Sequence, residues 1–162
     1  MVTAERIERT TLKNLIHNED YTRKVLPFLK AEYFDDRKER IVFDEIRKFI
    51  DQYNKRPTKE TLEIDIGKRK DLNEEEYKQI VDIIATLNKE EIDLDWLVNT
   101  TEKFCKDRAV HNAVMDGIHI LDGKDKKHTP EAIPEILRDA LSVSFDRNVG
   151  HDYLLDIERR FD

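Results

Sequence analysis

The chain has 162 residues, which fits one domain or a compact domain with an appendage. Charged residues make up 40% of it and hydrophobic residues 38%, a balance that favours thin helical layers over a sphere. The formal net charge of −7 disfavours a nucleic-acid-binding protein, because that affinity comes largely from Lys and Arg. One cysteine excludes an internal disulfide framework, and the lack of an apolar run near 20 residues predicts a soluble protein without a membrane span. Four glycines and four prolines are too few for many short strands, so an all-α fold is predicted.

Five predicted helices fill residues 1–92, which we interpret as a compact helical head. Their limits follow from apolar spacing, caps and prolines: residues 4–17, residues 20–29 with a break near Pro27, a helix from Asp36 to Tyr53, a short helix after Thr58, and a helix from Asn73 to Leu87. Asp36 is a predicted N-cap, and Glu39 lies three residues on, in the position of a capping box.

A long uninterrupted helix is predicted from Leu94 to Asp122, with no proline and one glycine. About 29 residues at 1.5 Å each would extend ~43 Å, longer than a small domain is wide. After a polar loop, the next helix begins either at Thr129-Pro130-Glu131 or at Pro134, which would otherwise lie inside it. These features predict a projecting αα-hairpin over residues 93–142, followed by a linker over 143–162 with a short final helix.

The sequence carries no complete phosphate-binding loop. Such a loop needs two glycines at fixed spacing before Lys and Ser or Thr, whereas the four glycines here are scattered along the chain. We therefore predict no nucleotide hydrolysis, no catalytic residues and no cofactor-binding residues in this chain.

A metal site is not predicted either. Cys105, His111 and His119 lie on the long helix at spacings of six and eight residues, so the three side chains cannot converge on one ion. We expect Cys105 to be buried and the two histidines to lie on the flank of the helix.

Several segments resemble the N-terminal region of replicative hexameric DNA helicases of the DnaB type. In the head they are Ala31-Glu32-Tyr33-Phe34, the Arg40, Phe43 and Ile46 set, and Tyr53 followed by Pro57-Thr58 and Thr61-Leu62. From about residue 130 the resemblance is denser, and the sequence is similar to the T-even-type phage helicases in particular. The segments that carry it are Ala132–Ile136, Ala140–Asp146 and Val149-Gly150-His151-Asp152.

The resemblance implies a role without catalysis by this chain. In that family this region precedes a RecA-like motor, which supplies ATP and Mg²⁺ binding and is absent here, so 143–162 would be the linker to it. Such regions associate into a collar that helps to hold a hexamer around single-stranded DNA, and they present a landing surface for primase and, in some systems, a helicase loader. The implied setting is the cytoplasm of a bacterial host.

Two sets of residues are candidates for these contacts. Val110, Val114, Gly117 and Leu121 follow a 4-3-4 spacing along the long helix, and Ile118 widens this stripe. The candidates for self-association, as a dimer of this chain or a hexamer of its parent, are Val110, Val114, Ile118, Leu121 and Leu137. The same residues could instead hold together the two helices of their own hairpin. Tyr153, Leu154 and Ile157 are candidates for docking the linker helix on a neighbouring motor.

Two other functions are compatible with parts of this pattern. The chain could be a freestanding helical adaptor or helicase loader, related to the collar but without a motor. A helical DNA-binding protein is the third reading, which the acidic balance of charge disfavours.

Overall fold

A computed structural model of the chain describes residues 4–145. All regular structure within this range is helical, which confirms the predicted all-α class. Seven α-helices occur there: α1 Ala4–His17, α2 Glu19–Val25, α3 Arg37–Tyr53, α4 Lys59–Gly67, α5 Glu74–Ala85, α6 Leu94–Leu121 and α7 Ile133–Leu141. Short 3₁₀ turns are formed by Leu26–Phe28, Ala31–Tyr33 and Pro130–Ala132.

The chain divides into two compact units, which are described separately. Unit 1 is Met1–Thr101 and unit 2 is Glu102–Asp162, so α6 contributes residues to both. The predicted head (1–92), hairpin (93–142) and linker (143–162) stay predictions.

The helix starts in unit 1 follow local side-chain chemistry. Thr58 accepts a hydrogen bond from the backbone N–H of Thr61, whose hydroxyl accepts one in return from the backbone of Thr58. Asn73 and Glu76 form the same reciprocal arrangement at the start of α5. Each pair satisfies N–H groups that have no partner inside the helix, so the predicted caps are confirmed.

Prolines set two further helix boundaries. Helix α2 ends at Val25, and Pro27 lies in the following 3₁₀ turn, as its position predicts. Pro130 lies in another 3₁₀ turn, and α7 begins only at Ile133 with Pro134 in its first turn. The later of the two predicted starts is therefore correct, because a first-turn N–H has no helical partner to lose.

The core of unit 1 is centred on α3, which packs against α1, α4 and α5. Phe43 of α3 stacks on Phe34, with ring centroids 5.1 Å apart. The largest side chains that are fully buried are Leu12, Leu15, Tyr21, Leu29, Phe34, Phe43, Ile46, Leu62, Ile66, Ile80, Ile84 and Leu87. The buried Tyr21 hydroxyl lies 2.7 Å from the Thr101 hydroxyl, which itself donates to the Leu97 carbonyl, so Tyr21 is the donor of that pair.

Helix α3 also buries two carboxylates. Glu39 is paired with Arg9 of α1, with Nε 2.6 Å from Oε2, and Glu45 is paired with Arg69, with Nη1 2.9 Å from Oε1. The capping-box position predicted for Glu39 is therefore wrong, since its side chain turns inward to Arg9 while Asp36 alone accepts the capping hydrogen bond from Lys38 N–H. Both pairs join α3 to segments distant in sequence.

The pairing of Glu39 gives the first testable prediction. Arg9→Met leaves the buried carboxylate without a cation and should lower the free energy of unfolding by about 3 kcal/mol. Arg9→Met combined with Glu39→Met should recover most of that loss, because no charge then stays buried. Urea unfolding followed by circular dichroism measures both.

The matched control is Arg23→Met, which breaks an exposed ion pair with Glu19 and should cost under about 1 kcal/mol. An Arg9→Met protein as stable as the Arg23→Met protein would contradict the assignment.

Candidate interaction surfaces

The part of α6 in unit 2 carries two different faces. Its inner face consists of buried residues that are mostly small: Ala109, Ala113, Gly117 and Ile120. Its outer stripe consists of large apolar residues that are exposed: Val114, Met115, Ile118 and Leu121. Residues three or four apart share one side of a helix, so each set forms a continuous strip.

The inner face lies toward α7. A Cβ built on Gly117 would be 3.6 Å from Cγ2 of Ile133, at the start of α7. Just after α7, the Phe145 N–H donates to Glu102 Oε2 at 2.7 Å, and the Ser144 hydroxyl lies 3.3 Å from the same oxygen. Within unit 2, these contacts place Ile133 beside Gly117, and Ser144 and Phe145 beside Glu102.

The structure separates the residues predicted for self-association. Val114, Ile118 and Leu121 are 46%, 43% and 68% exposed, whereas Val110 and Leu137 are half-buried. The contact with Ile133, at the start of α7, is made at Gly117, which lies on the inner face. The predicted linker residues Tyr153, Leu154 and Ile157 lie outside the described residues.

The sequence prediction missed Met115 and Leu141, which add to the exposed apolar surface of unit 2. Met115 is the residue after Val114 and lies three residues before Ile118, so it borders the predicted stripe on the same side of the helix. Leu141 is the last residue of α7 and is 73% exposed.

A groove with a volume of about 720 Å³ opens in unit 1. We call it the basic groove. Its lining comes from the last turns of α1, from α2 and the following turn, and from the segment that joins α3 to α4: Ile16, Glu19, Thr22, Arg23, Leu26, Pro27, Ile50, Asn54, Lys55, Arg56, Pro57 and Thr58. No local motif predicts this groove, because two stretches distant in sequence, 16–27 and 50–58, form it.

Two polar contacts hold the edges of the basic groove. Arg56 Nη1 donates to the Ile16 carbonyl at 2.7 Å, which ties the α3–α4 segment to α1. Arg23 Nη2 lies 3.3 Å from Glu19 Oε1, one turn earlier on α2. Asn54 ends α3 in the left-handed region, with φ of 54°, so the chain turns sharply there.

The candidate metal ligands are placed as the sequence predicts. Cys105 is buried, and His111 and His119 are exposed on α6. Among residues 4–145, no group of three His, Cys, Asp or Glu side chains is arranged to hold a metal ion. Over the same range, no helix combines the length and apolar character needed to cross a membrane.

The sequence of the chain is similar to that of a known protein. The chain is 34% identical, over 158 residues, to a DnaB-like replicative helicase of Enterobacteria phage T4. It is related to the DnaB-like replicative helicases. The alignment covers 93% of this chain but only 33% of that helicase, so the chain spans about a third of the length of its relative. No protein-family model matches the chain. The resemblance noted in its sequence is confirmed.

The close approach at Gly117 gives a prediction for this helicase-related chain. Gly117→Ala should raise the free energy of unfolding by up to about 1 kcal/mol, because a methyl group fits at 3.6 Å from Ile133 and alanine favours the helix. Gly117→Leu should instead destabilise unit 2, because the longer side chain would overlap Ile133. Thermal unfolding distinguishes the two, and equal effects of Ala and Leu would contradict the contact.

The buried Cys105 gives a prediction about pH. Burial, and secondarily the negative charge of Glu102, raises the pKa of the Cys105 thiol from 9.0 to about 12. Between these values the unfolded chain loses the thiol proton while the native chain retains it, so this group's contribution to stability falls as pH rises. Relative to Cys105→Ala, the protein should lose about 1 kcal/mol between pH 9 and pH 10.

Urea unfolding at the two pH values measures that difference. A native thiol that reacts with Ellman's reagent at pH 8 as fast as the thiol of the urea-unfolded chain would contradict the burial of Cys105.

Proposed function

We propose that the chain is a non-catalytic region of a phage replicative DNA helicase, through which helicase subunits associate and to which a primase binds. Its similarity to the DnaB-like replicative helicase of phage T4 supports a role in replication. As part of this proposal, ATP and Mg²⁺ binding and the unwinding of duplex DNA belong to a separate motor region, in keeping with the lack of a complete phosphate-binding loop in this sequence.

The observation that carries the association role is the exposed outer stripe. Val114, Ile118 and Leu121 are exposed, and the contact with Ile133 of α7 is made at Gly117, outside the stripe. Contiguous apolar surface of this kind marks sites of protein association. A second copy is the occupant we propose, because a stripe along one helix can pair with itself about a two-fold axis.

Further assembly follows from such pairing as part of the same proposal. Pairs of subunits would build a hexamer around single-stranded DNA, with Tyr153, Leu154 and Ile157 docking on the motor of a neighbouring subunit. A helicase loader is an additional partner of such a ring, in the cytoplasm of the bacterial host. Light scattering of the chain with and without its cognate primase tests the primase role, and an unchanged mass would contradict it.

Disruption of the outer stripe tests the association role. Ile118→Glu places a charge in the centre of the stripe and should lower the dimer association constant by at least about tenfold, because the carboxylate would be buried without a partner. Its helicity should be unchanged, because residue 118 is exposed in the single chain. Sedimentation velocity over a range of concentrations, with circular dichroism, gives both measurements.

The matched control is His119→Glu, which adds the same charge at an exposed position turned about 100° around α6. Its association constant should stay within about twofold of the wild-type value. Equal loss in both variants, or no loss in Ile118→Glu, would contradict pairing through the stripe.

A further inference from the structure

Two prolines and one hydrogen bond restrict the walls of the basic groove. Pro27 lies in a 3₁₀ turn on one side, and Pro57 precedes the capped start of α4 on the other. The hydrogen bond from Arg56 to the Ile16 carbonyl connects the two sides. A groove built in this way loses little conformational entropy on binding, which favours recognition of a flexible partner.

The lining of the groove combines aliphatic residues with positively charged ones. Ile16, Leu26 and Ile50 contribute aliphatic surface. Three cationic side chains stand against one carboxylate: Arg23, Lys55 and Arg56 against Glu19. The groove is therefore net positive on a chain whose formal net charge is −7.

The three cationic side chains differ in the ion pairs and hydrogen bonds that they make within unit 1. Arg23 is paired with Glu19, and one of the five N–H donors of Arg56 is used by the Ile16 carbonyl. Lys55 is exposed, and among the described residues no ion pair is found for it. Lys55 and the remaining donors of Arg56 are therefore the groups that can receive an anion from outside the chain.

We propose that the basic groove binds an acidic peptide segment of a partner protein. A large apolar side chain of the peptide lies on Ile16, Leu26 and Ile50, and flanking carboxylates pair with Lys55 and Arg56. A guanidinium fork and an ammonium group suit carboxylates, and the aliphatic residues supply the contact that places the segment. The volume of about 720 Å³ lies within the range of sites that enclose ligands.

Single-stranded nucleic acid fits the same surface less well. Proteins that bind it without sequence preference combine a positively charged groove with aromatic side chains on which bases stack. The groove lining contains no aromatic residue, and Glu19 in that lining would repel phosphate. Both features favour the peptide.

Selection from a displayed library of random twelve-residue peptides tests the proposal on the intact chain. Sequences enriched on the wild-type protein should combine net negative charge with one or two large apolar residues. The affinity of an enriched peptide, measured by fluorescence anisotropy, should fall about tenfold in Lys55→Glu, because one exposed charge is reversed next to the bound carboxylates.

Lys78→Glu is the matched control, since Lys78 is an exposed lysine of α5 that does not line the groove. It should leave the affinity within about twofold of the wild-type value. Pro27→Asp serves as a second variant inside the groove and should also weaken binding, with folding of each variant checked by circular dichroism.

Three outcomes would overturn the proposal. They are enriched peptides without an acidic bias, binding that Lys55→Glu leaves intact, and an oligothymidylate that binds more tightly than the peptides and is lost in Lys55→Glu. The basic groove lies in unit 1 and the outer stripe in unit 2, so failure here is distinguishable from failure of self-association.

Discussion

A buried charge needs a partner of opposite charge, and this requirement organises unit 1. Helix α3 places Glu39 and Glu45 in the interior, where an unpaired carboxylate would cost several kcal/mol. Arg9 reaches the first from α1, and Arg69 reaches the second from the residues just after α4. Arg69 also donates hydrogen bonds from two nitrogens to the Asp71 carboxylate, which lowers the pKa of that carboxyl group. Apolar packing holds these helices together, and the ion pairs select which residues of each helix meet.

In unit 2, helix α6 has two faces that differ in the size of their residues and in their roles. Small residues predominate on the inner face of α6, and Gly117 lies in contact range of Ile133 of α7. Large apolar residues lie on the outer stripe instead. The observed division makes the fold of a subunit and its proposed pairing depend on different side chains.

Local features of the structure could be predicted from the sequence, and features formed by distant segments could not. The caps at Thr58 and Asn73 depend on neighbours three residues away, so their spacing was sufficient. Glu39 has the same local spacing, but Arg9 lies 30 residues before it and determines its position. Apolar periodicity found the outer stripe, whereas the inner face has little hydropathy contrast. The basic groove is formed by two stretches distant in sequence, 16–27 and 50–58, and no periodic pattern marks it.

The hydrogen bond between the Phe145 N–H and Glu102 has a topological consequence. Phe145 lies 43 residues after Glu102, the first residue of unit 2, and its backbone nitrogen is 2.7 Å from the Glu102 carboxylate. The first and last residues of the segment 102–145 are therefore neighbours in space. Such a segment can lengthen or shorten at the end far from Glu102 and Phe145, by equal additions to α6 and α7, without moving these two residues apart. Homologues can thus differ in the reach of this segment while keeping the same attachment.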